Sequence, residues 1–379
     1  MKTRIVLYHL LYPIIMAGTS CKQYYNPPAI TANKNYLVVS GFIDAGEDSS
    51  IFTLTRTSNL NSTSPLTTEL GAVLTIEGSS GYASQLTELG NGRYGSSGLH
   101  LDPTQNYRLR IGTTNGEKYL SNYEPVKSSP PIDSISWQRS DSGVTAYANT
   151  HDLSNNTRYY RWDYVETWEY HSLFDSYWHY DTASRAIINN NIEVPHICYR
   201  TVNSNNIVIA SSAKLTRDII SFAPLIVIPL NSNKLSVRYS LLVRQYALTA
   251  DEYNYWQALQ ASTEQTGTLF DLEPSQITGN ISCLSNPNEP VIGYVGAGAV
   301  AESRIFITNQ QVFPWYFNQG CVEMVYGSEP DSIQDAVSQG LLPVDAHYTA
   351  NTLTGYVYSQ NVCVDCTLQG GNTIKPSFW

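Results

Sequence analysis

The chain has 379 residues, 42% of them hydrophobic and only 14% charged, with 32 Asp and Glu against 22 Lys and Arg for a formal net charge of −10. That acidity argues against a nucleic-acid partner and against a basic patch for anionic lipid heads. The apolar fraction argues against a disordered chain, and the length allows two domains.

The first stretch reads Met1-Lys2-Thr3-Arg4, an apolar run from Ile5 to Met16, then Ala17-Gly18-Thr19-Ser20-Cys21. A basic start, a short apolar run and small residues mark residues 1–20 as a secretory signal peptide. The run is too short for a membrane span, which needs about 20 residues. The small residues before Cys21 resemble a bacterial lipobox, in which a peptidase cuts before the cysteine and lipid is attached to it. Gly18 departs from the usual leucine. The alternative is an ordinary secreted protein with Cys21 as a structural thiol. Losing Lys2 and Arg4 with the signal takes the net charge to −12. The expected membrane partnership therefore rests on acyl chains at Cys21, at about 0.8 kcal/mol per buried methylene. Residues 21–35 read as the lipidated tether.

Residues 36–127 read as a β-sandwich. Tyr36–Ile43, Ile51–Thr57, Ala72–Glu77, Tyr107–Ile111 and Lys118–Ser121 are short alternating runs separated by turn residues, with Asn115-Gly116 marking a hairpin. The arrangement across residues 70–121 resembles transthyretin-like and carboxypeptidase-regulatory sandwiches, which implies an Ig-like or transthyretin-like shape and no activity. Ser128-Ser129-Pro130-Pro131 marks the boundary to a larger β-rich, sandwich-type domain over residues 128–379.

In that second domain, residues 159–170 read YYRWDYVETWEY. At period two, Tyr160, Trp162, Tyr164, Trp168 and Tyr170 share one face, with Arg161, Asp163, Thr167 and Glu169 on the other. The even-numbered rings are expected in a core. Phe174, Tyr177, Trp178 and Tyr180, which lack clean alternation, are the expected contact surface for a protein partner or for a glycan or peptide ligand. His171, Asp175, His179 and Asp181 fit no metal-ligand spacing, so no metal site is expected. Leu235–Leu248 reads as a long strand. Thr249 and Glu252 form a T-x-x-E capping box that opens a helix near residues 250–262. Residues 293–300 and 304–307 read as a late hairpin, and a second short helix is expected near 329–339. The glycines at 293–298 are followed by no lysine and make no phosphate loop.

Five cysteines follow Cys21: Cys198, Cys283, Cys321, Cys363 and Cys366. In an exported chain these are disulfide candidates, and an odd number leaves one over. Residues three apart on an extended chain face opposite ways, so Cys363 and Cys366 are not expected to pair with each other. Cys321 is the expected partner for one of them. One thiol among Cys198, Cys283 and the other tail cysteine is left over. The second C-x-x-C or close histidine pair that zinc would need is missing.

The stretches LVVSGFI, PPIDSISW, YYRWDYVETWEY, YSLLVRQYALTADEYNYWQAL, GNISC with VIGYV, and CVDCTLQGGNTIKPSFW together resemble a family of Bacteroidota outer-membrane lipoproteins known only as a domain of unknown function. The resemblance covers nearly the whole chain. Such proteins are often encoded beside TonB-dependent receptors, which implies an outer-membrane transporter or other surface protein as partner, an accessory role and no cofactor. It also implies O-glycosylation at the D-S/T-aliphatic or alanine patterns of Ser134, Thr182 and Ser332. Residues Lys22-Gln23-Tyr24 lack the acidic signal that sends such lipoproteins to the cell surface, so the leaflet stays open. The expected function is that of a non-enzymatic binding or accessory lipoprotein. The chain lacks G-x-S-x-G and H-E-x-x-H motifs. Its rivals are a secreted polysaccharide or peptide hydrolase working through a carboxylate pair, which leaves no sequence signature, and a structural or adhesive surface protein.

Overall fold

The computed structural model describes residues 35–58, 67–264, 277 and 279–379. The signal peptide, Cys21 and the tether lie outside the described residues. The described chain is mainly β, arranged in six sheets with two α-helices.

Two sheets make the first sandwich. One runs in the order Lys127–Ser128, Gly296–Ala299, Leu37–Asp44, Ile51–Arg56, Arg93–Gly95, Thr87–Gly90. The other is ordered Ile281–Cys283, Lys118–Ser121, Asn106–Gly112, Val73–Gly78, Ala83–Gln85. Alternation places Leu37, Val39 and Ile43 of one sheet against Leu74, Ile76, Tyr107 and Leu109 of the other, all buried.

The sequence reading gave residues 281–299 to the second domain, and the structure corrects this. Gly296–Ala299 pairs in parallel with both Leu37–Asp44 and Lys127–Ser128. Ile281–Cys283 pairs with Lys118–Ser121. The expected hairpin of 293–300 with 304–307 does not form, because Ala301–Thr308 joins the second module alongside Arg238–Ala247. The glycines serve close packing instead. A Cβ on Gly298 would lie 2.1 Å from the Lys127 carbonyl oxygen, and one on Gly296 would meet the carboxylate of Glu252.

The second module faces a three-stranded sheet (Ile132–Ser140, Gly143–Asp152, Asp218–Pro229) against a larger one centred on Tyr159–His171 and Arg238–Ala247. Between them Tyr160, Trp162, Tyr164, Trp168 and Tyr170 pack with Val144, Leu225, Tyr239 and Leu241. A third sheet, Met324–Gly327, Thr352–Gln360 and Leu341–Thr349, closes over the short helix Pro330–Ser338 and the hairpin Trp178–Asp181 with Ala186–Asn189. The longer helix, Ala250–Glu264, leaves the end of Arg238–Ala247. The Thr249 hydroxyl accepts the Glu252 amide at 3.2 Å, as the capping motif requires, but the Glu252 carboxylate turns inward toward Gly296 and Trp256.

Candidate functional site

Four of the five buried rings of Tyr159–His171 find polar partners, and the indole N–H of Trp168 has none. Tyr160 donates to Asp218, Tyr164 to Asn206 at 2.7 Å, Tyr170 to the Cys366 carbonyl at 2.9 Å, and Trp162 to the Gln245 side-chain oxygen at 2.9 Å. Glu166 shares this buried face, where Lys234 Nζ lies 2.7 Å from it and the Tyr239 hydroxyl donates at 2.8 Å. This face is occupied by its own contacts and is not open to a ligand.

Of the residues expected to form a contact surface, three are half-buried and make contacts within the fold. Trp178 packs edge-on to Tyr356 at 5.7 Å, and Tyr180 donates to Gln334 at 2.9 Å. Both cover the small core around Ile187 and Ile333. Phe174 is half-buried, its amide donating to the Cys363 carbonyl. Tyr177 alone of the four is exposed. The arrival of a third sheet, assembled from residues more than 140 positions later, is what turns Trp178 and Tyr180 inward.

The two most exposed rings among the described residues are Phe313 (68% exposed) and Tyr316 (69%), with Tyr348 (60%) and Phe222 (54%) next. The centroids of Phe313 and Tyr316 are 6.4 Å apart. The loop beneath this pair is anchored at several points. Val312 and Trp315 are buried, and the indole N–H of Trp315 donates to the Ser232 carbonyl at 2.9 Å. Arg139 donates to the Phe313 and Pro314 carbonyls at 2.8 and 2.7 Å. The sequence signal was the unalternating run Val312-Phe313-Pro314-Trp315-Tyr316-Phe317, which marks an aromatic loop but not which of its rings face out.

Position adds to this. Leu37–Asp44 runs toward the junction between modules, where the Phe42 ring meets Tyr246 at 5.1 Å. Ile132–Ser140 starts at the junction and carries Arg139 away from it, about 23 Å at a strand's rise. The first described residues and the two rings therefore lie on opposite sides of the junction.

The cysteines form two bonds, Cys198–Cys366 and Cys321–Cys363, with Cys283 a buried free thiol. Both members of Cys363-Val-Asp-Cys366 reach distant partners, so the motif holds the tail in place. Ser134 and Thr182 are exposed, whereas Ser332 is half-buried and its hydroxyl accepts the Gly327 amide at 2.8 Å. Among the described residues no group of three His, Cys, Asp or Glu is placed to hold a metal ion, and no helix is long and apolar enough to cross a membrane. His171 and His179 are engaged by Glu169 and by the Ile192 carbonyl.

A cleft of about 510 Å³ opens at the junction itself, lined by Asp44, Asp48, Arg161, Asp163, Arg244, Trp256 and Glu302 among others. The Arg161 guanidinium lies over the rings of Tyr246 and Trp256, at 4.0 and 4.7 Å. Arg244 pairs with Glu302 at 2.6 Å. Arg161 pairs with Asp163 of its own strand at 3.6 Å.

The family model described as a domain of unknown function (DUF4249) matches residues 23–304. The chain belongs to this family. The match spans the first sandwich and most of the second module. It stops short of the aromatic loop, the third sheet and the closing CVDC segment. No curated protein matches the chain. Among solved structures, a two fibronectin type III domain segment from chicken tenascin is similar at 15% identity, covering 57% of this chain and 93% of that one, with a TM-score of 0.17.

Proposed function

We propose that this member of the family is a non-enzymatic outer-membrane lipoprotein, anchored through Cys21, that serves as binding or accessory partner of an outer-membrane transporter of the TonB-dependent type. The observation that carries the reading is the anchored loop that holds Phe313 and Tyr316 in solvent. Exposing two large rings on a fixed backbone forgoes their burial, and aromatic residues so placed are common binding hot spots. Their place across the junction from the first described strand suits a chain tethered at one end and engaged at the other. The non-enzymatic reading is supported by the engagement of buried acids within the fold, Glu166 by Lys234 and Glu124 by Asn280 and Tyr294. Exposed Ser134 and Thr182 are the glycan acceptors that fit this setting.

A photo-crosslinking residue placed at position 316 in the native membrane tests the reading. Crosslinks to an outer-membrane protein are expected. Crosslinking confined to solvent, or equal to that from a control site such as Asn149, would refute it.

A further inference from the structure

Five carboxylates are buried among the described residues. Inside the second module, Glu166 has the Lys234 ammonium beside it and Asp218 accepts the hydroxyls of Tyr160 and Ser212. Three others lie along the seam between modules and are held by neutral groups. Asp44 (5% exposed) accepts the Gly46 amide at 2.7 Å. Glu124 (7% exposed) accepts Asn280 Nδ2 at 3.0 Å and the Tyr294 hydroxyl at 2.8 Å. Glu252 (4% exposed) has the Trp256 indole N–H at 3.4 Å and presses on Gly296, in the strand that the first sandwich borrows from beyond the Ala250–Glu264 helix.

We propose that this seam is a proton-dependent joint, closed while the buried Glu252, with Glu124 beside it, keeps its proton and loosened as it ionises.

The surroundings set the direction. Burial pushes the Glu252 carboxyl up from 4.5 to about 7, against the opposing pull of Arg161 and the Trp256 hydrogen bond, with Glu124 adding repulsion. Arg161 faces it from Tyr159–His171, but its guanidinium is also shared with Asp163 at 3.6 Å. Tyr294, on the chain leading into Gly296–Ala299, lies close enough to feel its charge. The helix N-terminus beneath Glu252 favours the ionised form, and burial outweighs it. Burial likewise raises Glu124, opposed by Asn280 and Tyr294 and aided by the charge of Asp251. Burial also raises Asp44, opposed by the Gly46 amide and aided by Asp48 and Glu302.

Opening the seam would let water reach Glu252 and return it to its ordinary value near 4.5. Between about pH 4.5 and 7 the closed seam then binds more protons than the open one. Its closure is fully supported below that window and is lost as pH rises through it.

Hydrogen exchange on the full chain tests this, read at the amides of Gly296–Ala299 from pH 5.5 to 8.5 and corrected for the intrinsic rate. The opening constant should rise by roughly ten- to a hundredfold across that range, while amides of Gly143–Asp152 change little. Glu252→Gln, which keeps the neutral shape, should flatten the rise. An opening constant that is flat or falling in the wild type, or a rise unchanged in the variant, would overturn the proposal. Carbon-13 carboxyl titration of the wild type gives a reading that needs no variant. A Glu252 midpoint near 7 is expected, and one near 4.5 would also overturn it.

Discussion

The hydroxyl of Tyr170 donates to the carbonyl of Cys366, 2.9 Å away and 196 residues further along the chain. Cys366 is bonded to Cys198, and Cys198 lies directly across the sheet from Tyr170. One buried ring, one disulfide and one strand register thus fix the tail to the central sheet. Trp379 continues the attachment, donating to Glu169 at 2.9 Å and packing edge-on to Tyr199 and Phe306.

The disulfides should be strong contributors to stability. Cys321–Cys363 closes a loop 42 residues long, for which restriction of the unfolded chain contributes about 4 kcal/mol. Peptide mapping without reduction should find Cys321 joined to Cys363 and Cys198 joined to Cys366. Cys321→Ser with Cys363→Ser should lower the unfolding free energy by about 2–5 kcal/mol in a urea titration. A closed Cys363–Cys366 ring, or an unchanged midpoint, would contradict the structure.

Trp162→Ala should cost about 3–5 kcal/mol. The indole is fully buried, stacks on Tyr160 at 5.7 Å and satisfies the Gln245 oxygen. Its loss leaves a cavity and takes away a hydrogen-bond partner of Gln245. A melting temperature equal to wild type would show that the strand does not carry the core.

Asp152 gives the fold an acid-sensitive turn of opposite sign to the seam. Burial by itself would raise its carboxyl, but bonds from the Ser154 hydroxyl and from the amides of Thr157, Ser154 and Asn156 outweigh it and hold the group at about 2. A depressed carboxylate supports the fold above its unfolded value near 3.8 and loses that support as pH falls toward about 2. Urea midpoints should therefore fall between pH 4 and 2 in the wild type. Asp152→Ala should begin lower and show a shallower fall. Equal slopes would contradict this role.

The parts of the fold that depend on near neighbours were legible in the sequence. Strict alternation from Tyr160 to Tyr170 placed five rings on one face, and all five are buried. Cys363 and Cys366 do not pair with each other, as expected, though they sit in successive 3-10 turns and not on the extended chain the expectation assumed, and the helix after Thr249 begins where its cap set it. What was not legible depends on partners distant in sequence. Gly296–Ala299 reads as half a hairpin until the edge of Leu37–Asp44 is seen to lack a neighbour. The packing of Trp178 edge-on to Tyr356 likewise joins residues far apart in the chain. Glu252 reads as a capping side chain, and only the docking of the first sandwich makes it a buried acid. The exposed pair Phe313 and Tyr316 was hidden among similar rings, because composition alone does not tell an anchoring Trp315 from its exposed neighbours.

Replacing those two rings should separate binding from stability. Phe313→Ala with Tyr316→Ala removes largely exposed side chains, so the unfolding free energy should move by only about 0.5 kcal/mol. A loss comparable to that of Trp162→Ala would mean that the loop, not a partner, needs them.

Co-purification from native outer membranes bears most directly on the proposed function, comparing the lipidated wild type with the Phe313→Ala, Tyr316→Ala variant. An outer-membrane transporter should accompany the wild type in near-stoichiometric amount and be depleted from the variant, while Cys21→Ser should lose both fatty-acid labelling and membrane recovery. Recovery of the same transporter with both proteins, or of no membrane partner with either, would contradict the account.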